Sequence, residues 1–245
     1  MLRWLDGSGA SGNIPRWEAT DWALFLGITG VTAGLMLPTG PSADVRIDRW
    51  ITHNLDSWVP DIYSLRNQVI VMGGLGLVGA TMWGVALVRG DDRTAEAVSL
   101  IAEAVTVVQL FHVSSKLLIG REGPQNGEGL GRVLGPAASP RLYPAGTPSG
   151  HFASLYAVVA VAEAYWEPHW AVSAAVHLVA GSLALMHVVN HRHFLSEILV
   201  GAGMGYATGN WVVRHRSSLY RSSPGGSLRL RPVLTGDGIG LQLRF

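Results

Sequence analysis

The sequence predicts an all-α, polytopic membrane protein: a six-helix bundle followed by a short C-terminal β-hairpin. Three observations carry that prediction. Of 245 residues, 48% are hydrophobic and only 14% charged, whereas a water-soluble domain carries about a quarter charged residues. Six apolar stretches recur along the chain, each close to the roughly 20 residues that cross about 30 Å of hydrocarbon at about 1.5 Å per residue. Backbone polar groups in lipid need partners within their own segment, so such stretches form helices rather than open sheet. The composition also excludes function classes. A formal net charge of +1 supplies no broad basic field, so no nucleic-acid partner is expected. With no cysteine, disulfides, thiolate nucleophiles and Cys-based metal sites are absent.

Residues 1–21 carry Gly, Ser and charges without the apolar core of a secretory signal, and are expected to lie at the interface. The membrane domain is expected over residues 22–213. Its spans are Trp22–Leu37, Val69–Val88, Ala95–Ile119, His151–Trp166, Trp170–Val189 and Phe194–Val213. The glycines of Gly73–Gly76 and Gly201–Gly205 allow close helix contact in a bundle. Trp17, Trp22, Trp166, Trp170 and Trp211 fall near span ends, as an aromatic belt requires. Between the first two spans, Ile47, Trp50, Ile51, Leu55 and Trp58 mark an amphipathic helix lying in the interface. Arg89–Thr94 is a tight charged turn. Gly120–Thr147 is a long Gly- and Pro-rich loop, a candidate for function. The basic tail, 214–245, alternates Leu228/Leu230 with Arg229/Arg231 and Leu241/Leu243 with Gln242/Arg244. Thr235-Gly236-Asp237-Gly238 lies between as a turn, which predicts a hairpin at an edge or against a membrane-protein partner.

The ionisable residues converge. Threading six helices up and down brings Lys116, Pro148–His151 and His187–Glu197 to one side of the bilayer. Ionisable groups there are costly and default to function. Lys116 is the single lysine of the chain. Pro148-Ser149-Gly150-His151 opens a helix, where free N–H groups favour an anion. An ammonium, a hydroxyl, a helix start and two histidines together describe a phosphate-handling site. Duller readings stand beside this one: a lysine at a helix end snorkels, and His112 serves as a hydrogen-bonded bundle histidine.

These residues carry a family resemblance. The blocks Lys116-x6-Gly123-Pro124, Pro148-Ser149-Gly150-His151 and Met186-His187-x5-His193-x3-Glu197 resemble those of the type 2 phosphatidic acid phosphatase superfamily, over roughly residues 60–213. Four positions depart from it. Gly123 replaces the first motif arginine, Met186-His187 replaces Ser-Arg, and Glu197 replaces Asp. The resemblance implies that His193 attacks phosphorus to form a phosphohistidine, that Glu197 holds its imidazole, and that His151 protonates the leaving oxygen. Lys116, Ser149 and Gly150 would hold the phosphate oxygens, with Arg121, Arg192 or His187 filling the vacated arginine positions. The spacing of His187, His191, His193 and Glu197 also reads as a metal-ligand run. The phosphate motif accounts for the same residues, and neither metal nor cofactor is expected.

Two missing arginines leave three readings open. The first is a lipid-phosphate phosphatase acting on a substrate of the phosphatidic acid or isoprenoid phosphate type. The second is a phosphodiester head-group transferase using His151, His193 and Glu197. The third is a degenerate member serving as a binding or structural subunit. Arg214, Arg216 and Arg221 follow the last span and place the C-terminus in the cytoplasm. The site then faces the periplasm of a bacterial inner membrane.

Overall fold

A computed structural model describes residues 19–36, 42–55, 65–144, 146–218, 229–235 and 238–244. The domain is helical: α1 Ala19–Met36, α2 Ala43–Leu55, α3 Leu65–Arg89, α4 Asp92–Ile119, α5 Ser139–Leu142, α6 Gly150–Trp166, α7 Trp170–Val189 and α8 Leu195–Arg216. Each of the six expected spans is a helix. By length and apolar content, α4 and α7 are able to cross a membrane, which points to membrane association. Of the others, α6 has 17 residues, and α8 carries Glu197 in its first turn and Arg214 and Arg216 in its last.

Small side chains set the centre of the bundle. Ala97, Leu100, Ala104 and Val108 of α4 pack with Ala153, Ala157 and Val161 of α6 and with Val212 and Val213 of α8. α8 lies directly on α6. A Cβ at Gly205 would strike the Ala153 carbonyl, and one at Gly209 would sit 2.7 Å from the Ala157 oxygen. Large apolar side chains such as Leu77, Val88, Trp170 and Leu178 face outward. At the other end of α6, Phe152 joins Val188 of α7 and Ile198 of α8, with Ile51 of α2 packed against them.

α4 is capped by Asp91, whose carboxylate accepts from Thr94 N at 3.0 Å and is held below the usual carboxylate range by the Thr94 hydroxyl and then that N–H. It ends at Gly120, in the left-handed conformation. α5, a single turn inside the long loop, was not expected; Pro140 sits in that turn, where a missing N–H costs nothing. α2 buries an acidic face. Asp44, Val45 and Asp48 point inward, while Trp50 is exposed. The reason is a buried cation waiting beneath α2, described below. In the tail, Arg229–Thr235 and Gly238–Arg244 run antiparallel with Leu230 opposite Leu243. Gly236 and Asp237 of the expected turn lie outside the described residues.

Candidate active site

Four helix ends meet at one end of the bundle: the C-termini of α4 and α7 and the N-termini of α6 and α8. Ser149 precedes α6 in extended conformation, and its N–H donates to the Glu197 carbonyl at 2.9 Å. That bond joins the start of α6 to the first turn of α8. The Ser149 hydroxyl is buried and has no hydrogen-bond partner among the described residues. Gly150 lets α4 approach, since a Cβ there would lie 2.5 Å from the His112 ring. His112 Nδ1 is 2.9 Å from Gln109 Oε1, and Gln109 Nε2 donates to the Gly150 carbonyl at 2.9 Å. His112 is therefore a brace under the helix start.

Three imidazoles face one another. Ring centroids lie 6.2 Å apart for His151 and His193, 5.5 Å for His151 and His187, and 5.9 Å for His187 and His193. Glu197 Oε2 is 2.7 Å from His193 Nδ1. A carboxylate accepting from Nδ1–H leaves the Nε2 lone pair directed outward. His187 Nδ1 is 2.9 Å from the Leu183 carbonyl, so its Nε2 also turns away from its own helix. Lys116 is buried and donates to the Pro144 carbonyl. It is near enough to His112, His151 and Glu197 to act on them electrostatically. The structure thus brings Lys116, Ser149, Gly150, His151, His187, His193 and Glu197 together.

The two arginines are placed otherwise. Arg121 is 1% exposed and sits on the far oxygen of the Glu197 carboxylate, not among the imidazoles. Its Nη1 donates to Thr147 Oγ1 at 3.1 Å, to Ser196 Oγ at 2.9 Å and to Glu197 Oε1 at 3.4 Å. Nη2 meets Asp44 Oδ2 at 2.8 Å, and Nε donates to the Gly131 carbonyl at 3.0 Å. The guanidinium lies over the Phe194 ring, 4.9 Å from its centroid. A buried charge needs pairing and hydrogen bonds, and Arg121 has given its donors to that network instead of holding them for a phosphate. Arg192 is half-buried at the rim, with Nη1 3.4 Å from Gln125 Oε1.

The long loop closes over this end. Glu122 is clasped by Arg132 at 2.8 and 3.1 Å, and those bonds hold its carboxyl below the usual range and push the guanidinium of Arg132 up. Gly131, at φ +65°, carries the backbone against Arg121; a Cβ there would lie 2.9 Å from Nη2. Asp48 of α2 meets His191 Nδ1 at 3.0 Å; burial raises its pKa, opposed by His191.

Sequence reasoning passed over Asp44, Thr147, Ser196 and Gln109. The available signal was the pair Asp44 and Asp48, spaced one turn apart on a helix otherwise read as amphipathic. Among the described residues, no three His, Cys, Asp or Glu side chains are grouped to hold a metal ion. The family model described as the PAP2 superfamily matches residues 97–221, just over half of the chain. No curated protein and no solved structure matches it significantly.

Proposed function

The chain belongs to the PAP2 superfamily, and from that membership, which supports an enzyme of phosphatase type, we propose a membrane-embedded hydrolase of lipid phosphates. The observation that carries the reading is the Glu197–His193 contact of 2.7 Å facing His151 across 6.2 Å. In the proposed mechanism His193 Nε2 attacks phosphorus, and the bond to the lipid oxygen breaks. His151 passes its proton to the departing alcohol. The same imidazole then takes a proton from water, which opens the phosphohistidine and releases inorganic phosphate. Lys116, the Ser149 hydroxyl and the Gly150 N–H hold the equatorial oxygens, and His187, when protonated, stands in for the second motif arginine. Six helices cross the bilayer in this reading, with the site at the periplasmic surface of a bacterial inner membrane. A phosphate at the interface then reaches the imidazoles while its tails stay in hydrocarbon, and the tail hairpin is left for a partner.

A second reading draws on the withdrawal of Arg121. A site with one lysine and, among the described residues, no guanidinium at its centre suits a singly charged phosphodiester better than a dianionic monoester, and head-group transfer is its reaction. Purified protein in detergent is tested against lipid monoesters and diesters, beside His193→Ala. Phosphate release lost in the variant supports hydrolysis, and head-group exchange lost in the variant supports transfer. Neither reaction from the wild type, or no effect of the substitution, removes the enzymatic proposal and leaves a binding subunit.

A further inference from the structure

We propose that Asp44 is a positioning residue of this site, setting the Glu197–His193 pair through Arg121 from a helix that lies outside the residues the family model covers. The inference rests on the histidine chemistry proposed above. Asp44 is fully buried, at 0% exposure. Its Oδ2 pairs with Arg121 Nη2 at 2.8 Å and accepts from the Ser196 hydroxyl. Its Oδ1 accepts from Ser196 N at 3.0 Å. Ser196 adjoins Glu197 in the first turn of α8, so one carboxylate holds both the backbone beside Glu197 and the cation facing it.

The two carboxylates compete for one guanidinium. Arg121 lies at 2.8 Å from Asp44 but at 3.4 Å from Glu197. With its charge mostly answered by Asp44, the guanidinium steadies one Glu197 oxygen without drawing the carboxylate away, and Oε2 stays on His193 at 2.7 Å. Remove the charge of Asp44, and Glu197 becomes the sole anion for a buried arginine. The carboxylate then turns toward Arg121, and His193 loses the acceptor that fixes its proton on Nδ1. The hydrogen bonds of Asp44 go to Arg121 and Ser196, so substrate binding is left to Lys116 and the start of α6.

Asp44→Asn keeps the shape and an oxygen for Ser196 N while removing the charge. The expected result is a loss of about 10²-fold in kcat, the scale of a misplaced reacting group, with KM held within about threefold. In ¹⁵N-histidine spectra, the His193 signal, assigned by its loss in His193→Gln, moves away from the Nδ1–H tautomer. Should the single variant fail to fold, Asp44→Glu keeps the charge pair while carrying the carboxylate one methylene further toward Arg121 and Ser196, which displaces the guanidinium and Glu197 with it, and is read the same way. A kcat that stays low there supports positioning. Wild-type kcat in either variant, or an unmoved His193 signal, overturns it and reduces the pair to charge balance. If the wild type releases no phosphate at all, the hydrolase reading has failed instead, and the His193 signal alone still decides the role of Asp44.

Discussion

Gly201→Ala puts a single methyl group where the starts of α6 and α8 touch. The added Cβ would strike the Ser149 carbonyl oxygen and lie 3.2 Å from both Ser149 C and Ser149 N. None of these is the yielding end of a side chain, so backbone must move. The segment that yields is Ser149–His151 on one side or the first turns of α8 on the other. Either shift breaks the 2.9 Å bond from Ser149 N to the Glu197 carbonyl and separates His151 from His193. A displacement of about 1 Å costs roughly 10²-fold in rate, equivalent to about 2.7 kcal/mol on the barrier. Overpacking itself costs about 1–3 kcal/mol of stability. Gly181→Ala is the matched control, because it lies mid-helix in α7 with nothing within 4 Å of the new atom. Phosphate-release rates and thermal unfolding are compared for the two variants. Equal kcat in Gly201→Ala and Gly181→Ala would refute the claim that this contact sets the geometry.

Other perturbations bear on separate parts of the molecule. Lys116→Met should lower kcat/KM by about 10²–10³-fold, the usual scale for one lost oxyanion donor, and abolish inhibition by orthovanadate, a mimic of five-coordinate phosphorus. Glu122→Gln tests the loop clasp. The folded carboxyl is held below its unfolded value by Arg132, so its stabilisation is present above the ordinary carboxylate range and disappears as pH falls through the folded value. With Arg132 44% exposed, the effect is about 1 kcal/mol; the gap in melting temperature between wild type and variant is largest near neutrality and closes in acid. Glu96→Ala removes the acceptor for the Tyr165 hydroxyl at 2.8 Å and for Ser218 N at 2.6 Å. Leaving the buried tyrosine oxygen unpaired costs about 1–3 kcal/mol, and kcat is unchanged because these groups lie at the opposite end of α6.

Local signals in the chain were enough for the helices. The limits Trp170–Val189 follow from an apolar run bounded by a tryptophan and a polar segment, and the structure has the same limits. The convergence of Lys116, Ser149 and the histidines also followed from span counting, because up-and-down threading fixes which ends share a face. Arg121 was legible as a neighbour of the site but not as a member of a buried pair. Its counter-ion is 77 positions away, and no periodicity links an aspartate on one helix to a guanidinium beyond another. The inward turn of Asp44 and Asp48 was hidden for the same reason: hydrophobic spacing marks the greasy residues of α2 but not the acidic face that meets a cation. Ser196 stayed hidden because a serine beside a motif residue looks like filler until the carboxylate opposite is seen.

The placement of α2 has a practical consequence for anyone trimming the gene. A fragment starting at residue 97, where the match to the family begins, would keep the three facing histidines and the lysine yet leave a guanidinium in the interior with its principal anion cut off. Such a fragment would misreport the chemistry of the intact polypeptide, and an inactive preparation of it would say nothing about whether the histidines work.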